Sequence, residues 1–237
     1  MWQFEQATKG MADACRELNT PVISGNVSLY NETVLPDKRI NIYPTPIVVA
    51  VGVLDKPENA IPSFYQNEGD VIAIVGEVDK EPTINGSEFL KEVHGIVSGE
   101  IPPVNLEVEK KLAEFFQENK HLIKSAHDVS DGGLITAILE SAFSEEKTFG
   151  VDVSINTPYR EDFELFDEMR SIIVISLEEK DLKAVKEAAQ NLGIGFKTLG
   201  RVIDKPVLKL KINSINIEED ISSLRNLWEN SVRKLLD

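Results

Sequence analysis

The chain is nearly devoid of cysteine: Cys15 is the only one in 237 residues. No disulfide framework, CxxC pair or zinc-type Cys/His spacing can be built from it, which fits a reducing compartment. Positive charge is also scarce. Twenty-five Lys and Arg stand against 40 Asp and Glu, a formal net charge of −15. That argues against non-specific attachment to nucleic acid or to an anionic membrane, both of which reward clustered basic side chains. Phosphorylated ligands stay open, because backbone amides and a divalent ion can hold phosphate without net basic charge. Long hydrophobic runs are missing too. No stretch approaches the ~18 apolar residues of a membrane span, and the charged, amphipathic opening MWQFEQATKGMADACREL is no signal peptide. We therefore expect a soluble, cytoplasmic protein with no nucleic-acid and no membrane partner. Nothing reads as a Ser-His-Asp elbow, a GxxxxGK[ST] loop or a GxGxxG fingerprint, and there is no short repeat or low-complexity tract.

What is present suffices for a packed core: 42% hydrophobic and 27% charged residues. The length exceeds the ~100–200 residues usual for one domain, so one large or two modest domains are open. Phe4, Ala7, Met11, Ala14 and Leu18 repeat at helical spacing, and that helix should stop at Asn19-Thr20, before Pro21. An amphipathic helix with no leading strand looks like a start in mid-fold. Strands are expected at 22–24, 27–30 and 45–54, the last reading TPIVVAVGVL. Residues 55–67, with two prolines, have a linker's composition. From Gly69 the pattern restarts with the apolar strand DVIAIVGEV. A helix follows in INGSEFL, then one at 105–119 with Asn105 as cap. KSAHDVSDGGLITAILESAF reads as strand, glycine pair and helix, with Leu134, Ile138 and Ala142 on one side. Strand 151–155, helix 162–168, strand 171–177, helix 180–191 and strand 196–203 alternate after it. A hairpin VIDKPVLKLKI and a final helix 219–236 close the chain. This alternation predicts an α+β fold of layered α/β character.

Three stretches can carry chemistry. In SGNVSLYNE, Gly25 permits a sharp turn or close approach to a ligand. Asn26 can offer an oxygen to a hard ion such as Mg²⁺, and Ser28 a hydroxyl to a phosphate or amide. Asn31, with a glutamate beside it, adds to the polar row. The same residues also read as a Gly-Asn hairpin, which spacing alone favours. In AHDVSDGGL, Asp128 and Asp131 can hold a metal, or Ser130 or Asp131 can simply cap the next helix, while Gly132 and Gly133 open its first turn. His127 is a candidate catalyst or a hydrogen-bonded structural residue. INGSEFL, with Gly86 and Ser87, is compatible with phosphate binding but weak by itself. His94 and His121 read as solvated surface. Trp2 and Trp228 read as core or interface anchors.

Taken in order, GNVSLYNE, YPTPIVVAVG, GDVIAIVGE, NGSEFL and SAHDVSDGGL resemble the synthetase-subunit family of phosphoribosylformylglycinamidine synthase (PurL, FGAM synthase II). The resemblance covers essentially the whole chain. AHDVSDGG alone is shared across the wider AIR synthetase-related superfamily. The resemblance implies an ATP-dependent ligase of purine biosynthesis. ATP phosphorylates the amide oxygen of formylglycinamide ribonucleotide, and ammonia from a glutaminase subunit, PurQ, displaces phosphate. A small subunit, PurS, completes the complex. It implies that Gly25 contacts ATP, Asn26 ligates Mg²⁺ and Ser28 touches substrate, with no catalytic residue in this chain. A second set, His127, Asp128, Asp131, Gly132 and Gly133, is carried as an additional candidate nucleotide site. Against the family's tandem N-type and C-type domains, residues 1–66 resemble the tail of the second N-type domain and 67–237 the second C-type domain. We expect from this a fragment that is inactive alone and that self-associates through unpaired strand edges. Two other readings are a scaffold domain of the same enzyme and another superfamily ligase or kinase, such as a selenophosphate or thiamine-phosphate type; the latter is disfavoured by GNVSLYNE with YPTP.

Overall fold

A computed structural model of the chain describes residues 1–28, 32–144, 147–168 and 170–236, without the side chains of 234–236. It divides into two units, Met1–Leu54 and Asp55–Asp237, each taken here by itself.

The first unit holds α1 (Trp2–Glu17) and a hairpin of β1 (Glu32–Val34) and β2 (Arg39–Asn41), antiparallel with Thr33 opposite Ile40. The helix stops where the sequence signals. Asn19 takes the left-handed conformation (φ 52) and the Thr20 N–H reaches back to the Cys15 carbonyl at 2.9 Å, closing the exposed carbonyls of the last turn. None of the residues of α1 is buried, so its amphipathic face has no layer to cover, and Trp2 is exposed instead of anchoring a core. The strands expected at 22–24 and 45–54 do not form. A strand is stable only when its N–H and C=O groups find a neighbour's, and among the described residues no partner strand runs beside either segment. The expected strand at 27–30 falls partly, and Asn31 wholly, outside the described residues. Consecutive side chains of the 45–54 run are open: Ile47 is 90% and Val53 93% exposed.

The second unit is built on one mixed seven-stranded sheet. Its strands are β3 (Val71–Gly76), β4 (Ser125–Asp128), β5 (Gly150–Ile155), β6 (Ile172–Leu177), β7 (Gly195–Ile203), β8 (Val207–Ile212) and β9 (Ile215–Asp220), in spatial order β4-β6-β3-β7-β5-β8-β9. All neighbours are antiparallel except β5 and β8. Helices α2 (Glu88–His94), α3 (Leu106–Asn119), α4 (Gly133–Glu140), α5 (Glu161–Phe166), α6 (Leu182–Leu192), α7 (Ile221–Glu229) and α8 (Ser231–Leu236) complete it. The apolar run of β3 follows from its central place. Ile72 and Ile74 face one core with Leu134 and Ile138 of α4, Leu165 of α5 and Ile221 of α7. Val71, Ala73 and Val75 face the other, with Leu112 and Phe115 of α3 and Val185 and Ala189 of α6. A strand buried on both faces has no polar side to show. The fold is thus α+β, with helices on both faces of the sheet.

Local chemistry closes the elements. Ser87 accepts the Leu90 N–H (3.1 Å) and Asn105 the Val108 N–H (3.3 Å), capping α2 and α3. Two expectations fail at the chain's end. Residues 219–220 finish β9, and the final helix is two, α7 and α8. The run VIDKPVLKLKI forms no hairpin, because β5 lies between β7 and β8. A three-residue link, 204–206, crosses the end of β5 at Gly150. A Cβ there would stand 1.8 Å from the Lys205 carbonyl oxygen, so only glycine leaves room for the crossing.

Candidate functional site

The residues singled out in the sequence fall in both units. Residues 21–28, with Gly25, Asn26 and Ser28, are exposed. Nothing lies within 4 Å of where a Gly25 Cβ would be. Among the described residues the strand pairing of this unit is between β1 and β2, and residues 21–28 take no part in it. An open glycine beside an exposed amide and a hydroxyl is accessible to a ligand, and Asn26 could contribute one oxygen to a divalent ion. The described residues bring no cluster of three or more His, Cys, Asp or Glu able to hold a metal. Asn26 therefore fits Mg²⁺ only as one ligand among waters and nucleotide phosphates.

The second set is brought together at the β4–α4 junction. The His127 side chain is partly buried, 17% exposed. Its Nδ1 lies 2.8 Å from the Asp128 carbonyl oxygen and its Nε2 3.3 Å from Glu140 Oε2. Glu140 Oε1 in turn accepts the Trp228 indole N–H at 2.8 Å, and the Trp228 ring rests on Phe143. The histidine and α7 are thereby tied to α4, although Trp228 stays 53% exposed and is no core residue. Neither Ser130 nor Asp131 caps α4 with its side chain, contrary to expectation. The cap position is Gly132, in the left-handed conformation (φ 82), which carries no side-chain acceptor. Gly133 is also left-handed (φ 72), and a Cβ on it would meet the Leu165 carbonyl oxygen at 2.7 Å and the Phe166 backbone at 2.6 Å. Both glycines are demanded by backbone conformation and close packing.

The group that satisfies this helix start is Glu168. Its Oε1 accepts the Gly132 N–H at 2.7 Å and the Glu88 N–H at 3.0 Å, from the start of α2. Burial pushes the Glu168 carboxyl above its ordinary range, the two N–H donors oppose this, and the neighbouring Asp131 and Glu88 add to the rise. Sequence reasoning missed it. Glu168 lies 36 residues from Gly132 and 80 from Glu88, inside an acidic run with no motif.

A second feature that sequence reasoning missed is a buried ion cluster, although its charged members lie within six residues of one another. Arg170, its side chain 2% exposed, sets Nε 2.6 Å from Asp167 Oδ2 and an Nη 3.2 Å from Glu164 Oε1. Thr157 donates to the other Glu164 oxygen at 3.1 Å. Asp167 and Arg170 of this cluster line a cleft of about 440 Å³, together with Lys80, Thr83, Asn85 and Glu100. The Arg170 guanidinium is ion-paired with both carboxylates.

Helices on both faces of a mixed sheet, with a glycine pair opening α4 from the edge strand β4, define a member of a known class. The chain belongs to the AIR synthase related protein family: the family's C-terminal domain matches residues 67–213 and its N-terminal domain residues 1–54. Within that family the chain is similar to proteins named PurL. The chain is 41% identical over 239 aligned residues to phosphoribosylformylglycinamidine synthase subunit PurL of Aquifex aeolicus, covering all of this chain and 32% of that protein. It is 36% identical to PurL of Alkaliphilus metalliredigens, again over the whole chain and 31% of the relative. The chain thus spans about a third of the length of the curated relatives it matches. Among solved structures, Thermotoga maritima PurL complexed with FGAR superposes with a TM-score of 0.66 at 18% identity, over 91% of this chain and 36% of that one. The same protein complexed with ATP gives 0.57 over 71% of this chain and 27% of that one. At such identity the likeness is one of fold.

Proposed function

We propose that this chain is the C-terminal part of a PurL-type synthetase, an ATP-dependent C–N ligase that converts formylglycinamide ribonucleotide, ATP and ammonia to formylglycinamidine ribonucleotide in the cytoplasm. The observation that carries this is identity of 41% across the entire chain with a protein named for that activity. The SGNVSLYNE and YPTP stretches, which such a chain would use, both fall within residues 1–54 of the sequence. In this reading residues 1–66 are the tail of the second N-type domain and 67–237 the second C-type domain. Gly25 receives ATP against its open backbone, Asn26 supplies one oxygen to Mg²⁺, and Ser28 meets the substrate. Magnesium, when bound, neutralises phosphate charge; what this chain contributes is a small, polar, exposed wall that fits beside the nucleotide. PurQ and PurS are the partners of the whole enzyme, PurQ supplying ammonia. Calorimetric titration of the chain with Mg-ATP tests the assignment. Millimolar or tighter binding that disappears in Asn26→Ala supports it, and no heat at millimolar nucleotide removes the site from this chain.

A supporting role for the second unit is favoured by one observation. Its two stretches with the look of phosphate seats are satisfied from within, by Glu168. In that reading residues 67–237 brace the enzyme without touching nucleotide.

A further inference from the structure

NGSEFL and AHDVSDGG meet at a single group of the chain itself. Glu168 Oε1 accepts from the Gly132 N–H (2.7 Å) and the Glu88 N–H (3.0 Å), and Oε2 lies 3.2 Å from the same Glu88 nitrogen. The two donors come from separate loops, and the group on them is a carboxylate, the charge type such donors recognise. Its delivery is rigid. Gly133 packs without a Cβ on the backbone of Leu165 and Phe166, and the Phe166 ring stacks on Phe89 at 4.3 Å. The segment carrying Glu168 is therefore fixed against both loops that it joins. The charged groups that act on it are Asp131 and Glu88, and Glu88 is itself paired to Lys91.

We propose that Glu168 is a built-in anion. It takes the two main-chain N–H groups that an external phosphate would need, so that both glycine-containing stretches lock the second unit and are closed to phosphate. This goes beyond the nucleotide reading of Gly25 to Ser28 and does not depend on it. The carboxylate closes the junction by occupancy. Removing it alone should open the two donors, whereas replacing it with an amide should not, because a glutamine Oε1 in the same place still accepts both.

The experiment uses the whole chain, native, Glu168→Gln and Glu168→Ala, with site-resolved amide hydrogen exchange at Glu88 and Gly132. It is run with inorganic phosphate and with chloride at equal ionic strength. The native chain and Glu168→Gln should protect both amides and ignore phosphate. Glu168→Ala should lose the protection and regain it with phosphate, exchange slowing about tenfold at a concentration ten times the Kd. Native amides that exchange freely would overturn the proposal, as would unchanged protection in Glu168→Ala. Phosphate protection of the native chain equal to that of the alanine variant, or none in that variant, would overturn it too. Should Glu168→Ala fail to fold, the native and Glu168→Gln arms still decide: phosphate slowing of exchange in either one refutes occupancy by the carboxylate.

Discussion

Gly150 opens β5 under the link that carries the chain from β7 across to β8, and Gly150→Ala asks whether that crossing holds the sheet together. The backbone at Gly150 is not in the left-handed region, so alanine brings no conformational strain of its own. The added Cβ would stand 1.8 Å from the Lys205 carbonyl oxygen and 2.8 Å from that of Val207. Both are main-chain atoms with no flexible end to swing away, and the Lys205 oxygen also accepts the Val207 N–H at 2.7 Å. Overpacking costs typically ~1–3 kcal/mol, and a clash with fixed backbone belongs at the top of that range, about 3 kcal/mol. For a unit of this size each kcal/mol shifts Tm by about 2–4 °C, so a fall of about 6–12 °C is expected. Gly193→Ala is the control. Gly193 ends α6 at φ 68 with nothing within 4 Å of its Cβ position, so alanine there meets conformational strain alone, ~1–2 kcal/mol. Thermal unfolding by circular dichroism compares the two. If Gly150→Ala loses no more than Gly193→Ala, the crossing is not the tight point of the sheet.

Three other outcomes can be checked. Arg170→Ala leaves Glu164 and Asp167 buried without their cation and should cost about 3–5 kcal/mol in urea unfolding; a loss under about 1 kcal/mol would mean water enters the cleft and solvates them. Asp70, 4% exposed, has its carboxyl raised by burial, against the pull of Lys124. The folded state then binds its proton more tightly than the unfolded one, so this residue lowers stability at neutral pH, and the loss is relieved as pH falls through the raised value toward the ordinary 3.8. Asp70→Asn should flatten that part of the stability–pH curve, and an unchanged slope would assign it elsewhere. Finally, the charge-free run from Ile40 to Leu54 exposes Ile47, Val49, Val51 and Val53. Light scattering should show association at micromolar concentration that Val49→Lys with Val51→Lys reduces; a clean monomer would contradict it.

How far the sequence reached depends on the range of the force involved. Caps and stops were legible because they are local. Asn105 three residues before Val108, Ser87 before Leu90, and Asn19-Thr20 after an amphipathic face each act within one helical turn. The apolar run of β3 announced a strand, and its central place came only with the sheet. The first unit went the other way: TPIVVAVGVL has every propensity of a strand, yet propensity without a neighbour to bond yields none. The candidate site divided similarly. Gly25, Asn26 and Ser28 were found by residue type in a contiguous stretch, while Glu168 was invisible, having no motif and both its donors far away in the chain.

What the sequence by itself determined, then, is where α1 stops, where α2 and α3 begin, that residues 71–76 form a strand, and the family. Strand order, the passage of β7 to β8 over Gly150, the Arg170 cluster and the carboxylate that fills the α4 start were decided only by tertiary structure. The crossing over Gly150 and the Glu168 contacts join groups tens of residues apart, and the Arg170 cluster, though its carboxylates lie three and six residues back, is made by burial; none of these leaves a periodicity in the chain for a reader to find.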